Sequence, residues 1–419
     1  MGRPPKAINT NNNKPTGAPK ASNVNTKEMD EFCSDLVNSI NKQMGEVGLY
    51  SISSDDSILQ IKRFISTGSK QLDYIIANKP NGGLPEGRIV EIQGPPSIGK
   101  THIAYEAIKR CQAQGGIGVF IDAENATSLD TLIGLGMKKT GLIYSDENII
   151  EKIFSLIEGV VAKARMIKKD VPILIVWDSV AASSPKDESE ADYEKNTIGL
   201  AARVFSKGFR KLTPVLKENN VTLLLLNQQR MKIGVLYGDA TTTPGGNAIP
   251  FHSSVRLKLT GGQQIKDKDD EVIGINVTAK TIKNKVARPA RDVAFQIMFG
   301  VGITEDEQTF DVMRAWCDEH KEEGYCLTDN NKRVSVEGAG AWKTFTVTDM
   351  NTGEEERNIK FYKADFGDKI LRNAELQDYV SALYDAVYIK TGKDHREAVE
   401  PLEEDETGTV IETATANDE

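Results

Sequence analysis

Ile89-Val90-Glu91-Ile92-Gln93-Gly94-Pro95-Pro96-Ser97-Ile98-Gly99-Lys100-Thr101 decides the fold of this 419-residue chain. Ile89 to Gln93 reads as a strand, and a helical pattern begins near His102. Between them, Gly94 to Thr101 fits the phosphate-loop pattern G-x-x-x-x-G-K-[ST] in the strand–loop–helix context it needs. The glycines let the backbone wrap so that N–H groups point inward at phosphate oxygens. The following helix adds the partial positive charge of its N-terminus. In such a loop Lys100 neutralises the β- and γ-phosphates and Thr101 ligates Mg²⁺.

Further apolar strands lie at Val119–Asp122, Ile173–Asp178 and Val221–Leu226, with helical patterns between them. One of these helices is marked by Ile103, Ala104, Ala107, Ile108 and Cys111. Continuous apolar strands alternating with helices imply a parallel sheet covered on both faces. Later strands at Val255–Leu259, Ile275–Ile282 and Val293–Phe299 follow one another closely, and this edge is expected to be antiparallel. Asp178 ends an apolar strand and is expected in the Mg²⁺ shell, with Ser179 beside it. Glu124, just past the Val119–Asp122 strand, is better placed than Asp122 to reach into the cleft and activate water.

Composition sets the limits. With 27% charged and 39% hydrophobic residues the chain reads as soluble and globular, and it contains no apolar run long enough to span a membrane. Residues 1–27 have no secretory-type apolar segment, and Cys33, Cys111, Cys317 and Cys326 lack metal-ligand spacing. Free thiols in a reducing cytoplasm are expected. The net charge of −9 is unevenly spread. Residues 1–27 carry Arg3, Lys6, Lys14, Lys20 and Lys27 with no acid, whereas residues 391–419 carry ten acids against Lys393 and Arg396. Both segments are expected to be disordered, acting on partners or on the protein's own charged surfaces. The expected domain plan is a basic tail (1–27), an N-terminal element with an amphipathic helix (28–64), an α/β core (65–303), a small α+β domain (304–390) and the acidic tail (391–419).

The strand Val221–Leu226 ends in Asn227 and Gln228 and feeds a long cationic, hydroxyl-rich loop, Gln229 to Pro244, closed by Gly245, Gly246 and Asn247. Loops of this length are usually functional or disordered. A polar strand tip can contact one ligand while the loop grips another. Taken together, Ile65-Ser66-Thr67-Gly68-Ser69, Gly83-Leu84-Pro85-Glu86-Gly87-Arg88, Phe120-Ile121-Asp122-Ala123-Glu124 and Asp178-Ser179-Val180-Ala181-Ala182 resemble the RecA-type recombinases. Gly199-Leu200-Ala201-Ala202-Arg203 and Asn227-Gln228-Gln229-Arg230-Met231-Lys232-Ile233-Gly234-Val235 extend the likeness. So do Thr241-Thr242-Thr243-Pro244-Gly245-Gly246-Asn247-Ala248, Lys283-Asn284-Lys285 and Ala339-Gly340-Ala341-Trp342. It runs roughly from Asn41 to Trp342.

The resemblance implies a RecA-like P-loop ATPase core with a mostly parallel twisted sheet, an N-terminal oligomerisation helix and strand, and a small C-terminal α+β domain. It implies Glu124 as general base, Gln228 as sensor of the γ-phosphate, and Lys283 with Lys285 as cations given to a neighbouring subunit's ATP. It places Ile198, Arg203, Ser206, Arg210, Arg230, Lys232, Ile233, Gly245, Gly246 and Asn247 on DNA, and Phe251 at a subunit interface. The first DNA loop would be Lys186 to Ile198 and the second Gln229 to Pro244. Three positions depart from the family: Thr131 where an aromatic usually stacks on adenine, Pro244 for threonine, and Pro250 for lysine. Thr344 to Ile359 is extra sequence. The implied function is ATP-dependent filament formation on single-stranded DNA, with homologous pairing, strand exchange with duplex, and DNA-stimulated ATP hydrolysis. The implied partners are both DNA forms, further copies of the chain, and single-strand-binding and mediator proteins. The rival readings are a hexameric helicase motor and a non-catalytic filament regulator.

Overall fold

The computed structural model describes residues 26–45, 49, 51, 60–189, 199–231, 241–242, 244–321, 331–338 and 340–389. Two compact units are present, residues 1–60 and 61–419. In the first, helix α1 (Thr26–Met44) carries Met29, Phe32 and Leu36 exposed along its length. The Asn41 side chain bonds the Leu49 backbone at 2.9 Å through both its amide groups. The tails and the strand expected after α1 lie outside the described residues.

The second unit opens with β1 (Phe64–Ile65), α2 (Lys70–Ala77) and β2 (Leu84–Pro85), with β1 and β2 paired antiparallel. It continues through β3 (Ile89–Gly94), α3 (Lys100–Ala113), β4 (Ile117–Asp122), α4 (Leu129–Gly134), β5 (Leu142–Ser145) and α5 (Ile150–Ile167). Next come β6 (Ile173–Asp178), α6 (Lys186–Ser189), α7 (Leu200–Glu218) and β7 (Val221–Gln228). Two short strands, β8 (Arg230–Met231) and β9 (Thr241–Thr242), pair with each other. They are followed by α8 (Ala248–His252), β10 (Val255–Lys266), β11 (Val272–Asn284), β12 (Asp292–Met298) and β13 (Gly302–Thr304).

Among the described residues the main sheet has nine strands in the order β13-β12-β11-β10-β3-β7-β6-β4-β5. The six from β10 to β5 run parallel, and β11 to β13 are antiparallel. This corrects one expectation: the strand from Val255 joins the parallel set, with Val255 opposite Val90, and only its other edge is antiparallel. A crossover through α8 from β7 delivers it in the same direction as β3.

Alternation along buried strands explains their continuous apolar runs. Leu224, Leu226 and Val176 face one core layer with α2 and α3, while Leu223, Leu225 and Trp177 face the other with α5 and α7. At roughly 1.5–3 kcal/mol for each fully buried large apolar side chain, these two layers are the main source of stability.

Beyond β13 come α9 (Asp306–Glu319), the antiparallel strands β14 (Lys332–Glu337), β15 (Trp342–Asp349) and β16 (Glu355–Tyr362), and α10 (Gln377–Tyr388). Phe310, Phe345, Phe361 and Tyr384 from this region share one apolar cluster with Leu72 and Tyr74 of α2. The extra stretch 344–359 forms most of the β15–β16 hairpin.

Candidate functional site

β3 ends at Gly94 beside Gln228 of β7, and α3 begins at Lys100, so residues 94–101 cap the C-terminal edge of the parallel strands. Gly99 has a φ of 91°, and a Cβ there would meet Ile297 Cδ1 at 2.2 Å; only glycine fits. Ser97 takes a positive φ of 58° at the turn. Pro95 and Pro96 are exposed, and Ile98 packs into the core. Lys100 is buried and folds back on the loop, donating from Nζ to the carbonyls of Gly94 (3.2 Å) and Pro95 (2.7 Å). Burial lowers its pKa, and Asp178 and Glu124 oppose that shift.

The Thr101 hydroxyl donates to Asp178 Oδ2 at 2.7 Å. Burial pushes the Asp178 carboxyl up to about 6; the Thr101 bond opposes the shift, and the charges of Glu124 and Asp122 add to it. The Asp178 carboxylate, near two other acids and bonded to a hydroxyl, has the donor chemistry of a divalent-cation site. Mg²⁺ fits there, because it is usually held by one or two protein oxygens and substrate phosphates. Among the described residues, no group of three or more His, Cys, Asp or Glu forms a metal cluster of its own.

Glu124 is exposed at the mouth of this edge, and its Oε1 accepts from the Ser179 hydroxyl and, at 2.9 Å, from Gln228 Nε2. Asp122, in contrast, is 2% exposed and occupied: it accepts from Thr127 N (2.9 Å), Tyr144 Oη (3.2 Å) and Ala126 N (3.4 Å). Asp122 therefore holds the loop after β4, and Glu124 is the more exposed of the two acids.

A cavity of about 300 Å³ adjoins the phosphate loop, lined by Ser97, Lys100, His102, Ile275, Ile297 and Phe299 among others. The His102 and Phe299 rings lie 6.5 Å apart. Sequence reading missed both, because Phe299 comes from the turn after β12, about two hundred residues downstream of the loop. Thr131 sits in the first turn of α4, hydrogen-bonded to Ser128.

On α7, Arg203, Ser206 and Arg210 share one face and Phe205, Phe209, Leu212 and Leu216 the buried one. The turn Gly245–Asn247 lies against that exposed face: a Cβ on Gly246 would come within 3.1 Å of Ala202 Cβ, and Ser206 donates to Ala202 O at 2.8 Å. Ile198, Lys232, Ile233 and the Arg230 side chain lie outside the described residues.

Lys283 and Lys285 are not brought to the phosphate loop of their own chain. β11 runs antiparallel, so Lys283 pairs with Arg256, level with Glu91 and away from Gly94. Lys283 Nζ donates to the carbonyls of Pro250 (2.5 Å) and Phe251 (3.1 Å), and Phe251 is 74% exposed.

A Gly-rich loop on a strand–helix turn, a strand-end aspartate bonded to the loop threonine and a glutamate across the cleft define a P-loop nucleoside triphosphatase. Residues 32–304 match the family described as RecA N-terminal domain. The chain is 37% identical over 344 residues to Protein RecA of Sulfurimonas denitrificans, covering 82% of this chain and 90% of that protein. It is 40% identical over 320 residues to Protein RecA of Bacteroides thetaiotaomicron (76% and 88%), and 39% over 298 residues to that of a Wolbachia pipientis strain (71% and 76%). The chain belongs to the RecA family. It is an ATP-dependent recombination and repair protein and a DNA-dependent ATPase, and the helicase and regulator readings are not favoured. No helix among the described residues is long and apolar enough to cross a membrane.

Proposed function

We propose that the chain binds ATP with Mg²⁺ at residues 94–101, polymerises on single-stranded DNA and pairs that strand with homologous duplex. The observation that carries this reading is the Glu124 carboxylate, bonded at once to Ser179 and to Gln228. Gln228 ends the strand that enters the loop implied to bind DNA, so one side chain touches both the reacting centre and the DNA-binding segment.

Loop N–H groups and Lys100 receive the phosphates, and Thr101 with Asp178 hold the metal. When bound, Mg²⁺ supplies neutralisation of phosphate charge. Glu124 orients the attacking water and takes its proton. Gln228, already on Glu124, carries the state of the site into the strand tip. Lys283 and Lys285 point away from their own loop and are suited to a neighbouring copy's nucleotide, next to the exposed Phe251. Arg203, Ser206, Arg210 and the turn Gly245–Asn247 make one surface for DNA phosphates. Such contacts carry no sequence information and leave specificity to base pairing. The test is strand exchange between circular single-stranded and linear duplex DNA. Joint molecules that form only with ATP, on filaments seen by electron microscopy, are expected. Closed rings that unwind duplex without pairing would instead establish the helicase reading.

A further inference from the structure

A buried polar bridge crosses three adjacent strands beneath the site. Asn227 of β7 is fully buried, and its Nδ2 donates to Glu91 Oε1 of β3 at 2.9 Å and to the Pro244 carbonyl at 3.2 Å. Glu91 is also fully buried, and its other oxygen accepts from Arg256 Nε of β10 at 2.5 Å. Arg256 reaches on to Gln93 Oε1 at 3.1 Å, one residue before the phosphate loop. Arg256 stands opposite Lys283 in the sheet; burial, with the charges of Lys285 and Arg256, lowers the Lys283 pKa, and the Glu91 charge opposes that shift. Gln229 N donates to Gly94 O, the carbonyl that also holds Lys100.

Stability does not account for this bridge. A buried ion pair is often no better than well-packed apolar side chains of the same volume. The Asn227 Oδ1 atom is buried with no partner among the described residues, a cost that a purely structural side chain has no reason to carry. The bridge does join the elements whose coordination the coupled reaction needs: the loop exit at Pro244, the strand tip bearing Gln228, the entry to the phosphate loop, and the edge bearing Lys283.

We propose that Glu91, anchored by Arg256, and Asn227 are positioning residues that couple DNA engagement to ATP turnover. By gripping the Asn227 amide, Glu91 makes the loop exit and the Gln228 side chain shift as one unit relative to Glu124. This inference rests on the proposed function, since it presumes that DNA at the loop stimulates hydrolysis at Glu124.

The test uses the full chain, ATP and oligo(dT), with turnover measured across DNA concentrations. Asn227→Leu keeps the volume and removes the amide. DNA-free turnover within about twofold of wild type, an unchanged half-maximal DNA concentration and a maximal stimulated rate lowered about tenfold are expected, a usual size for coupling between sites. Glu91→Gln keeps an oxygen for Asn227 but removes the charge facing Arg256, so a smaller loss of stimulation, about threefold, is expected. Full stimulation in either variant overturns the proposal, as does a parallel fall of basal and stimulated rates, which would mark a purely structural role. If Asn227→Leu fails to unfold cooperatively, the shape-preserving Glu91→Gln decides alone. A wild-type protein that DNA does not stimulate would instead bring down the proposed function itself.

Discussion

Glu124 and Asp122 lie two residues apart, yet their surroundings differ sharply. Asp122 spends its oxygens on Thr127, Ala126 and Tyr144, whereas Glu124 stays exposed with Gln228 and Ser179 on one oxygen. Glu124→Gln is therefore expected to lower ATP turnover by about 10²-fold or more, the usual worth of a general base. Binding of a fluorescent ATP analogue should change little, and loss of binding in parallel with turnover would contradict the assignment. Lys100→Ala should abolish both, since it removes the cation of the loop; retained turnover would refute the phosphate role. Gly99→Ala should lower the unfolding free energy by roughly 2 kcal/mol or more, because an alanine there is strained by its positive φ and collides with Ile297. Thermal denaturation measures this.

Helix α7 divides its two faces between core and solvent. Its periodicity, readable in the sequence, places Phe205, Phe209, Leu212 and Leu216 inward and leaves Arg203, Ser206 and Arg210 outward together. The turn Gly245–Asn247 joins that face only because β7 and α8 bring it back against Ala202. Arg210→Ala should weaken single-strand binding evenly across sequences and reduce the slope of log affinity against log salt by about one. A sequence-selective loss would point to base contact instead. Binding titrations at several salt concentrations on oligo(dT) and a mixed-sequence strand separate the two.

At the scale of the whole molecule, the partly buried Glu305, just before α9, and the buried Asp73 of α2 together hold the turn between β1 and α2. Glu305 accepts from Ser69 Oγ and from the N–H groups of Lys70 (2.7 Å) and Gln71 (3.4 Å), capping α2. Asp73 accepts from Ser66 Oγ at 2.5 Å and from Thr67 N and Oγ1 at 2.7 Å each. Burial pushes both carboxyls up to about 7, against the opposing hydrogen bonds. Between about pH 4 and 7 the folded chain thus holds protons that the unfolded chain has released. Their contribution to stability is fullest at the acid end of this window and is lost as pH rises through 7. The stability of wild type relative to Glu305→Gln should fall with rising pH by up to about 1.4 kcal/mol per unit in that window. Calorimetry at pH 5.5 and 7.5 measures it, and a pH-independent difference would refute the protonated state.

The phosphate loop, the strand-end Asp178 and the parallel core were legible in the chain itself, because each rests on local chemistry. A Gly-rich turn needs glycine where φ is positive, and a strand buried on both faces needs unbroken apolar residues. Glu124 could be ranked above Asp122 from its place past the strand end, but only the folded structure shows Asp122 occupied by Tyr144 of the neighbouring strand. The parallel entry of the strand from Val255, the approach of Phe299 to His102, the separation of Lys283 and Lys285 from their own loop, and the Asn227–Glu91–Arg256 bridge were set by the fold. Each depends on which strands lie side by side and in what direction. Sequence spacing carries no such information for residues tens to hundreds of positions apart, since their contact follows from packing the whole sheet.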